Sequence, residues 1–182
     1  MHGRMDWEIW PPLLRCYPEA PLVSISLAQR EPVRDLAVNW VGNVYNGIPL
    51  EHFPFQEQHG DYLLFLGRIC PEKRPDWAVE IAVRAGMPLK VAAKIDPVDQ
   101  PYWQEQIEPL FRQHQVEFLG EVNEQEKAEL LGGAYALVFP IDWREPFGLV
   151  MAESLACGTP VIAMRRGSVP EVLHDGVSGL IC

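Results

Sequence analysis

The fold is decided by a carboxylate, a Pro-Phe-Gly turn and an apolar run that contains a second carboxylate: Glu145-Pro146-Phe147-Gly148-Leu149-Val150-Met151-Ala152-Glu153. Proline suits the first turn of a helix, where its missing N–H costs no hydrogen bond. Gly158 suits the residue after a helix, where a positive φ is common. We therefore predict a short helix over residues 148–157, between apolar strands at residues 135–139 and 161–164.

The start of this helix is a candidate ligand site. Free N–H groups and the positive end of the dipole at a helix N-terminus bind anions. Carboxylates such as Glu145 and Glu153 can accept hydrogen bonds from paired hydroxyls, as on a ribose or a sugar ring. A ligand that carries both phosphate and vicinal hydroxyls fits the pattern better than either group alone. On spacing alone, a dipole cap at Glu145 and a solvent-facing Glu153 stay open as the alternative.

The residues around the two carboxylates resemble a family signature. The spacing Glu, seven residues, Glu, with Pro-Phe-Gly after Glu145 and Gly158-Thr159-Pro160 after the helix, is similar to the pattern of the large retaining glycosyltransferase family called glycosyl transferases group 1. The resemblance implies a two-domain GT-B enzyme that transfers a sugar from a nucleotide-diphosphate donor with retention at the anomeric carbon. It implies a UDP- or GDP-sugar as co-substrate and no metal or other cofactor.

Composition indicates a globular protein and excludes some partners. The chain has 182 residues, of which 48% are hydrophobic and 22% charged, and a net charge of −10. This acidity argues against nucleic acid as a partner. We expect neither stable membrane insertion nor a secretory signal, and so a cytoplasmic protein. A nucleotide sugar would also be repelled by the whole chain, so its site must contain local cations.

The chain changes character near residue 46. Residues 1–45 contain candidate strands at 22–26 and 41–45 and a short helical candidate at 13–17. The turn sequence Asn46-Gly47-Ile48-Pro49 resembles the connector between the two halves of the family's enzymes. Residues 1–45 are therefore predicted to be the tail of an N-terminal acceptor domain, most of which is missing.

From residue 62 onward, short apolar strands alternate with helices. This rhythm predicts βαβ units and a doubly wound parallel sheet. Asn123 is a predicted N-cap, and Pro109 predicts a kink or break in a helix over residues 104–114. The predicted fold is α/β and Rossmann-like over residues 46–182, incomplete at its C-terminus. The resemblance implies that this domain binds the donor and forms the C-terminal half of a GT-B fold.

A second candidate site follows the strand predicted at residues 62–66. It is the loop Gly67-Arg68-Ile69-Cys70-Pro71-Glu72-Lys73. The planar donors of Arg68 and the compact charge of Lys73 together suit a pyrophosphate. A solvated loop in which Glu72 pairs with one of them is the alternative. The loop also resembles the family's Gly-Arg…Glu-Lys segment, whose Arg and Lys bind the donor diphosphate.

The resemblance implies a role for each residue of the signature. Glu153 would hold the ribose diol. Glu145 would hold the donor sugar and its phosphate, together with the backbone of three residues: Phe147, Gly148 and Leu149. Catalysis would rest on Glu145, Lys73 and Arg68, because Arg68, Lys73 and the helix N-terminus would stabilise the leaving diphosphate.

Two further positions resemble family positions loosely. Val122, in Gly120-Glu121-Val122, is similar to the loop over the nucleobase, and His2 is similar to a histidine that contacts the donor sugar. Glu171 is interpreted as structural. The scattered histidines and cysteines show no metal spacing. Two alternatives stay open: a non-catalytic nucleotide-sugar binding module, and a sugar-nucleotide 2-epimerase, which would need acid/base carboxylates that the sequence does not identify.

Overall fold

Apolar runs of the sequence form the strands of two parallel sheets. A computed structural model describes residues 2–182. Within that part of the chain the strands are β1 (Leu22–Ser24), β2 (Trp40–Asn43), β3 (Leu63–Arg68), β4 (Leu89–Lys94), β5 (Glu117–Gly120), β6 (Ala136–Phe139), β7 (Val161–Ala163) and β8 (Gly179–Ile181).

The larger sheet has six strands in the order β5-β4-β3-β6-β7-β8, and every neighbouring pair is parallel. The chain runs outward from β3 to β5, returns to β6 beside β3, and continues outward to β8. Ligands of such sheets sit beyond the carboxyl ends of the strands at the point where the order reverses. The predicted doubly wound α/β sheet is confirmed, and its reversal lies between the loops that follow β3 and β6.

Helices connect the strands and cover both faces of the sheet. They are α1 (Trp10–Cys16), α2 (Pro75–Ala85), α3 (Gln100–Tyr102), α4 (Glu108–Gln113), α5 (Glu124–Gly132), α6 (Leu149–Ala156) and α7 (Val169–Val172). Helix α2 begins at Pro75 and ends before Gly86, whose φ of 64° is left-handed. Helix α5 begins with a capping box, because the Asn123 side chain and the Glu126 side chain each accept from the other's backbone N–H.

The core lies on both faces of the larger sheet. Leu64 and Leu66 of β3 pack into one buried cluster, which includes Met151 of α6. Leu63 and Phe65 pack into a second cluster on the other face. Alternate side chains of a strand point to opposite faces, so β3 contributes to both clusters as the central strand of a fully buried parallel sheet does.

Residues 2–45 form a small unit beside the larger sheet. Strand β1 pairs with β2 in parallel, and a cluster of buried apolar residues consists of Met5, Leu14 and Val33. So small a core does not support an independent domain. The division into an acceptor-domain tail over residues 1–45 and a donor domain over residues 46–182 stays a prediction.

The helix predicted at residues 148–157 is α6, which spans Leu149–Ala156. Pro146 lies in the loop before the helix, and the residue that precedes Leu149 is Gly148 in the left-handed conformation, with φ of 76°. Gly158 follows the helix with φ of 88°, as predicted. A π-helical turn over Trp103–Ile107 lies between α3 and α4, and Pro109 is in the first turn of α4. This π-helical turn is the break in the helix that Pro109 predicted.

Candidate functional site

A cavity of about 410 Å³ opens at the reversal point of the sheet. Its wall is formed by the ends of β3, β4 and β6, by the loop after β5 and by the start of α6. The charged residues that line it are three lysines and three glutamates: Lys73, Lys94, Lys127, Glu121, Glu145 and Glu153. The charges of the wall therefore balance, although the whole chain has a net charge of −10.

Lys73 and Glu145 form an ion pair across the reversal point. Lys73 Nζ donates to Glu145 Oε2 at 2.6 Å, and the two side chains are 20% and 11% exposed. The ammonium also lies 4.7 Å from the ring centroid of Trp143 and 5.4 Å from that of Phe139. Carboxylate and aromatic faces together stabilise a cation that has lost most of its water.

A second pair joins α5 to α6. Lys127 Nζ donates to Glu153 Oε1 at 2.8 Å, and the side chains are 25% and 12% exposed. Lys127 also lies 5.0 Å from the ring centroid of Phe53. Each signature carboxylate of the cavity therefore has its own lysine.

The N-terminus of α6 faces the cavity without a side-chain cap. Gly148, Leu149 and Val150 line the wall, and no side chain caps the first turn. A Cβ at Gly148 would lie 2.7 Å from Met151 Cε and 3.3 Å from Glu145 Cγ, so glycine is required by packing as well as by φ. Uncapped N–H groups at a helix start are an anion site.

The loop over residues 145–148 accepts hydrogen bonds from the segment after β7. Ser168 N donates to the carbonyl of Glu145, and Ser168 Oγ donates to the carbonyl of Phe147, each at 2.9 Å. A Cβ at Gly167 would collide with the Glu145 backbone. Sequence reasoning missed Ser168, because its partners lie more than twenty residues away and carry no local signal.

The description "Glycosyl transferases group 1" belongs to the family model that matches residues 50–182. This chain is a member of that family.

Relatives with a known name are also glycosyltransferases. A D-inositol 3-phosphate glycosyltransferase of Frankia alni is 34% identical over 137 residues, which are 69% of this chain and 33% of the relative. One of Mycobacterium marinum is 30% identical over 172 residues, which are 86% of this chain and 35% of the relative. The chain thus spans about a third of the length of these relatives.

Solved structures share the fold. The Anabaena protein HepE, in complex with UDP and glucose, has a TM-score of 0.82 at 17% identity. The match covers 93% of this chain and 52% of the HepE chain. The sucrose-phosphate synthase of Thermosynechococcus elongatus has a TM-score of 0.78 at 21% identity, and the match covers 100% of this chain and 50% of the synthase chain. These likenesses establish a GT-B-type fold for this group 1 family member.

Several of the predicted site residues meet at the cavity. Those that line it are Val122, Lys73, Glu145, Gly148, Leu149 and Glu153. Lys94 and Lys127 also line it, and sequence reasoning missed both. The Asp96 carboxylate, at 3.0 Å, raises the pKa of Lys94, which keeps this lysine a cation.

Arg68, Phe147 and His2 do not line the cavity. The Arg68 guanidinium is surrounded by carboxylates instead, at 3.3 Å from Asp96, 3.4 Å from Glu72 and 3.7 Å from Asp99. The Phe147 side chain is buried, and His2 is exposed. The role of Arg68 in holding the donor diphosphate stays a prediction.

The small N-terminal unit reaches the edge of the site. Arg4 Nη1 donates to Glu72 Oε2 at 2.7 Å, and the Arg4 guanidinium lies 4.6 Å from the ring centroid of Trp143. Trp143 thus contacts Arg4 of this unit and Lys73 of the cavity. In the described residues no group of three His, Cys, Asp or Glu side chains is placed to hold a metal ion. None of the helices over residues 2–182 combines the length and apolarity of a membrane span.

Proposed function

We propose that this cavity is the donor site of a retaining glycosyltransferase that takes a nucleotide-diphosphate sugar and delivers the sugar to an acceptor. One observation carries the proposal. A single cavity brings together a desolvated lysine, an uncapped helix N-terminus and two lysine-paired carboxylates. Cations and N–H groups suit a diphosphate, and carboxylates suit hydroxyl groups.

Each part of the donor has a matching group on the wall. Lys73 and the first N–H groups of α6 hold the diphosphate, and Glu145 holds the sugar. Glu153 holds the ribose, and Val122 lies against the nucleobase. The fold neighbour HepE was solved with UDP and with UDP-glucose, which favours a UDP-sugar over a GDP-sugar as the first donor to test.

The reaction places negative charge where the cavity holds positive groups. The bond from the anomeric carbon to the diphosphate breaks, a bond to the acceptor oxygen forms on the same face, and the acceptor proton passes to a donor phosphate oxygen. Lys73 and the α6 N-terminus stabilise the leaving diphosphate, the kind of electrostatic interaction that typically dominates catalysis. In this proposal side chains and backbone supply the positive charge, with no metal or other cofactor, and the enzyme works in the cytoplasm.

Thermal unfolding of this chain with UDP, GDP, ADP and their sugars, in the presence of EDTA, tests the donor site. A nucleotide at 100 times its Kd should stabilise the fold by about 2.7 kcal/mol. Glu153→Ala should reduce the stabilisation, because the ribose loses its carboxylate partner. Glu117→Ala is the matched control, because Glu117 also pairs with a lysine, Lys90 at 3.5 Å, but does not line the cavity. A folded chain that no nucleotide stabilises would overturn the proposal.

Turnover separates transfer from the other activities. Nucleotide release that depends on an added acceptor supports the transferase. A donor that isomerises alone, without nucleotide release, indicates a sugar-nucleotide 2-epimerase. Binding without either reaction, across a panel of sugar and polyol acceptors, indicates a nucleotide-sugar binding module.

A further inference from the structure

The ion pair between Lys127 and Glu153 restricts the orientation of a carboxylate that lines the cavity. We propose that Lys127 is a positioning residue that orients Glu153 toward the ribose hydroxyls and so makes the site selective for ribonucleotides over 2′-deoxyribonucleotides. The inference rests on the proposed donor site, because it assigns a task within it. Lys127 itself contacts Glu153 rather than a reacting atom.

The geometry fixes one oxygen of the carboxylate and leaves the other available. Lys127 Nζ donates to Oε1 of Glu153 at 2.8 Å, so Oε2 remains as an acceptor for a ligand hydroxyl. The Phe53 ring, 5.0 Å from Nζ, restricts the ammonium from another element. A carboxylate held by one strong donor has fewer orientations to lose when it binds.

Both helices that carry the pair are tied to each other. The capping box of Asn123 and Glu126 fixes the start of α5, and Lys127 N donates to the Asn123 carbonyl at 2.9 Å. At the other end of α5, Thr159 Oγ1 donates to the Leu131 carbonyl. Thr159 follows α6, so these hydrogen bonds set the position of Lys127 relative to Glu153 before any ligand arrives.

Burial makes the lysine necessary. Glu153 is 12% exposed at its side chain, and a buried carboxylate without a partner is costly. Without Lys127 the carboxylate would turn toward water, and this change would weaken its contact with the ribose. The diphosphate contacts of Lys73 and α6 would stay in place, so the loss should concern the ribose alone.

The positioning role of Lys127 is tested by comparing the affinities of two ligands for four proteins. Calorimetric titration with UDP and 2′-deoxy-UDP is carried out on wild type, Lys127→Met, Lys127→Arg and the control Lys90→Met. Lys90 is matched to Lys127, because it is 29% exposed, pairs with Glu117 at 3.5 Å and lies 4.4 Å from the Tyr62 ring centroid, outside the cavity.

Wild type should bind UDP about tenfold more tightly than 2′-deoxy-UDP, the effect of one hydrogen bond to a charged group. Lys127→Met should lose this preference, with UDP affinity falling toward that of the deoxy compound. Lys127→Arg should keep most of the preference for UDP over 2′-deoxy-UDP, and Lys90→Met should keep all of this preference. If Lys127→Met does not fold, the double variant Lys127→Met/Glu153→Gln removes both charges, and it should show no preference.

The outcomes separate this inference from the proposed function. Failure of wild type to bind any of the nucleotides UDP, GDP and ADP overturns the donor site itself. If wild type binds UDP and Lys127→Met keeps the tenfold preference, only the positioning role is wrong. Equal loss of both ligands in Lys127→Met would also overturn it, because a general electrostatic or structural effect does not distinguish the 2′-hydroxyl.

Discussion

At the scale of single residues, Lys73 and Glu145 form an ion pair in the proposed donor site. Lys73→Met should weaken UDP binding about tenfold or more, since a hydrogen bond to a charged group is lost. Glu145→Gln keeps the shape and frees Lys73, so UDP should bind at least as tightly. UDP-glucose should lose its advantage over UDP, because the sugar loses its partner. Calorimetric titration with both ligands measures this, and an equal loss for UDP and UDP-glucose in Glu145→Gln would contradict it.

The sequence predicted some residues of the cavity wall and not others, for a physical reason. Glu145, Glu153 and Lys73 stand in local motifs whose spacing is visible along the chain. Lys127 is 26 residues from its partner Glu153, and nothing local marks the pair. Arg68 is in a motif too, but the carboxylates that surround it include Asp96, which folding brings from the end of β4. Local patterns predict residue types, whereas partners depend on the sheet order.

At the scale of elements, the turn into α6 depends on Gly148. An alanine there costs about 1–2 kcal/mol for the left-handed conformation, and its Cβ would also press on Met151 and Glu145. Gly148→Ala should therefore lower the unfolding temperature by several degrees, at about 2–4 °C per kcal/mol for this size, and weaken UDP binding. Gly86→Ala is the matched control, with φ of 64° and open space around the Cβ. If both variants bind UDP like wild type, the role of the α6 N-terminus is wrong.

Element boundaries were predictable where glycine, proline or a capping side chain marks them. Helix α2 ends at Gly86 and α5 begins after Asn123, as the sequence indicates. The sequence did not predict that the break would be a π-helical turn over Trp103–Ile107. Pro109 lacks an N–H and its ring crowds the carbonyl four residues earlier, so a break was expected, but its form depends on how the neighbouring turns pack.

At the scale of the whole molecule, Glu171 of α7 fastens the small N-terminal unit to the larger sheet. Its carboxylate accepts from Leu27 N at 2.8 Å and from Ala28 N at 2.7 Å, and from the Tyr45 hydroxyl at 3.1 Å. The sequence-based interpretation of Glu171 as structural agrees with these contacts. The hydrogen bond from Tyr45 to this carboxylate raises the tyrosine pKa, so the hydroxyl keeps its proton at neutral pH.

Removal of that carboxylate should release the N-terminal unit while the larger sheet stays folded. In Glu171→Ala, amide hydrogen exchange at Leu27 and Ala28 should rise about tenfold or more, since each N–H loses a hydrogen bond to a charged group. Amides of β3 and β6 should keep their protection. Glu31→Ala is the control, because Glu31 belongs to the same unit but forms only an exposed pair with Arg34 at 3.5 Å. Unchanged exchange at Leu27 and Ala28 in Glu171→Ala would show that other contacts hold the unit, with Arg4 and its bond to Glu72 the next to test.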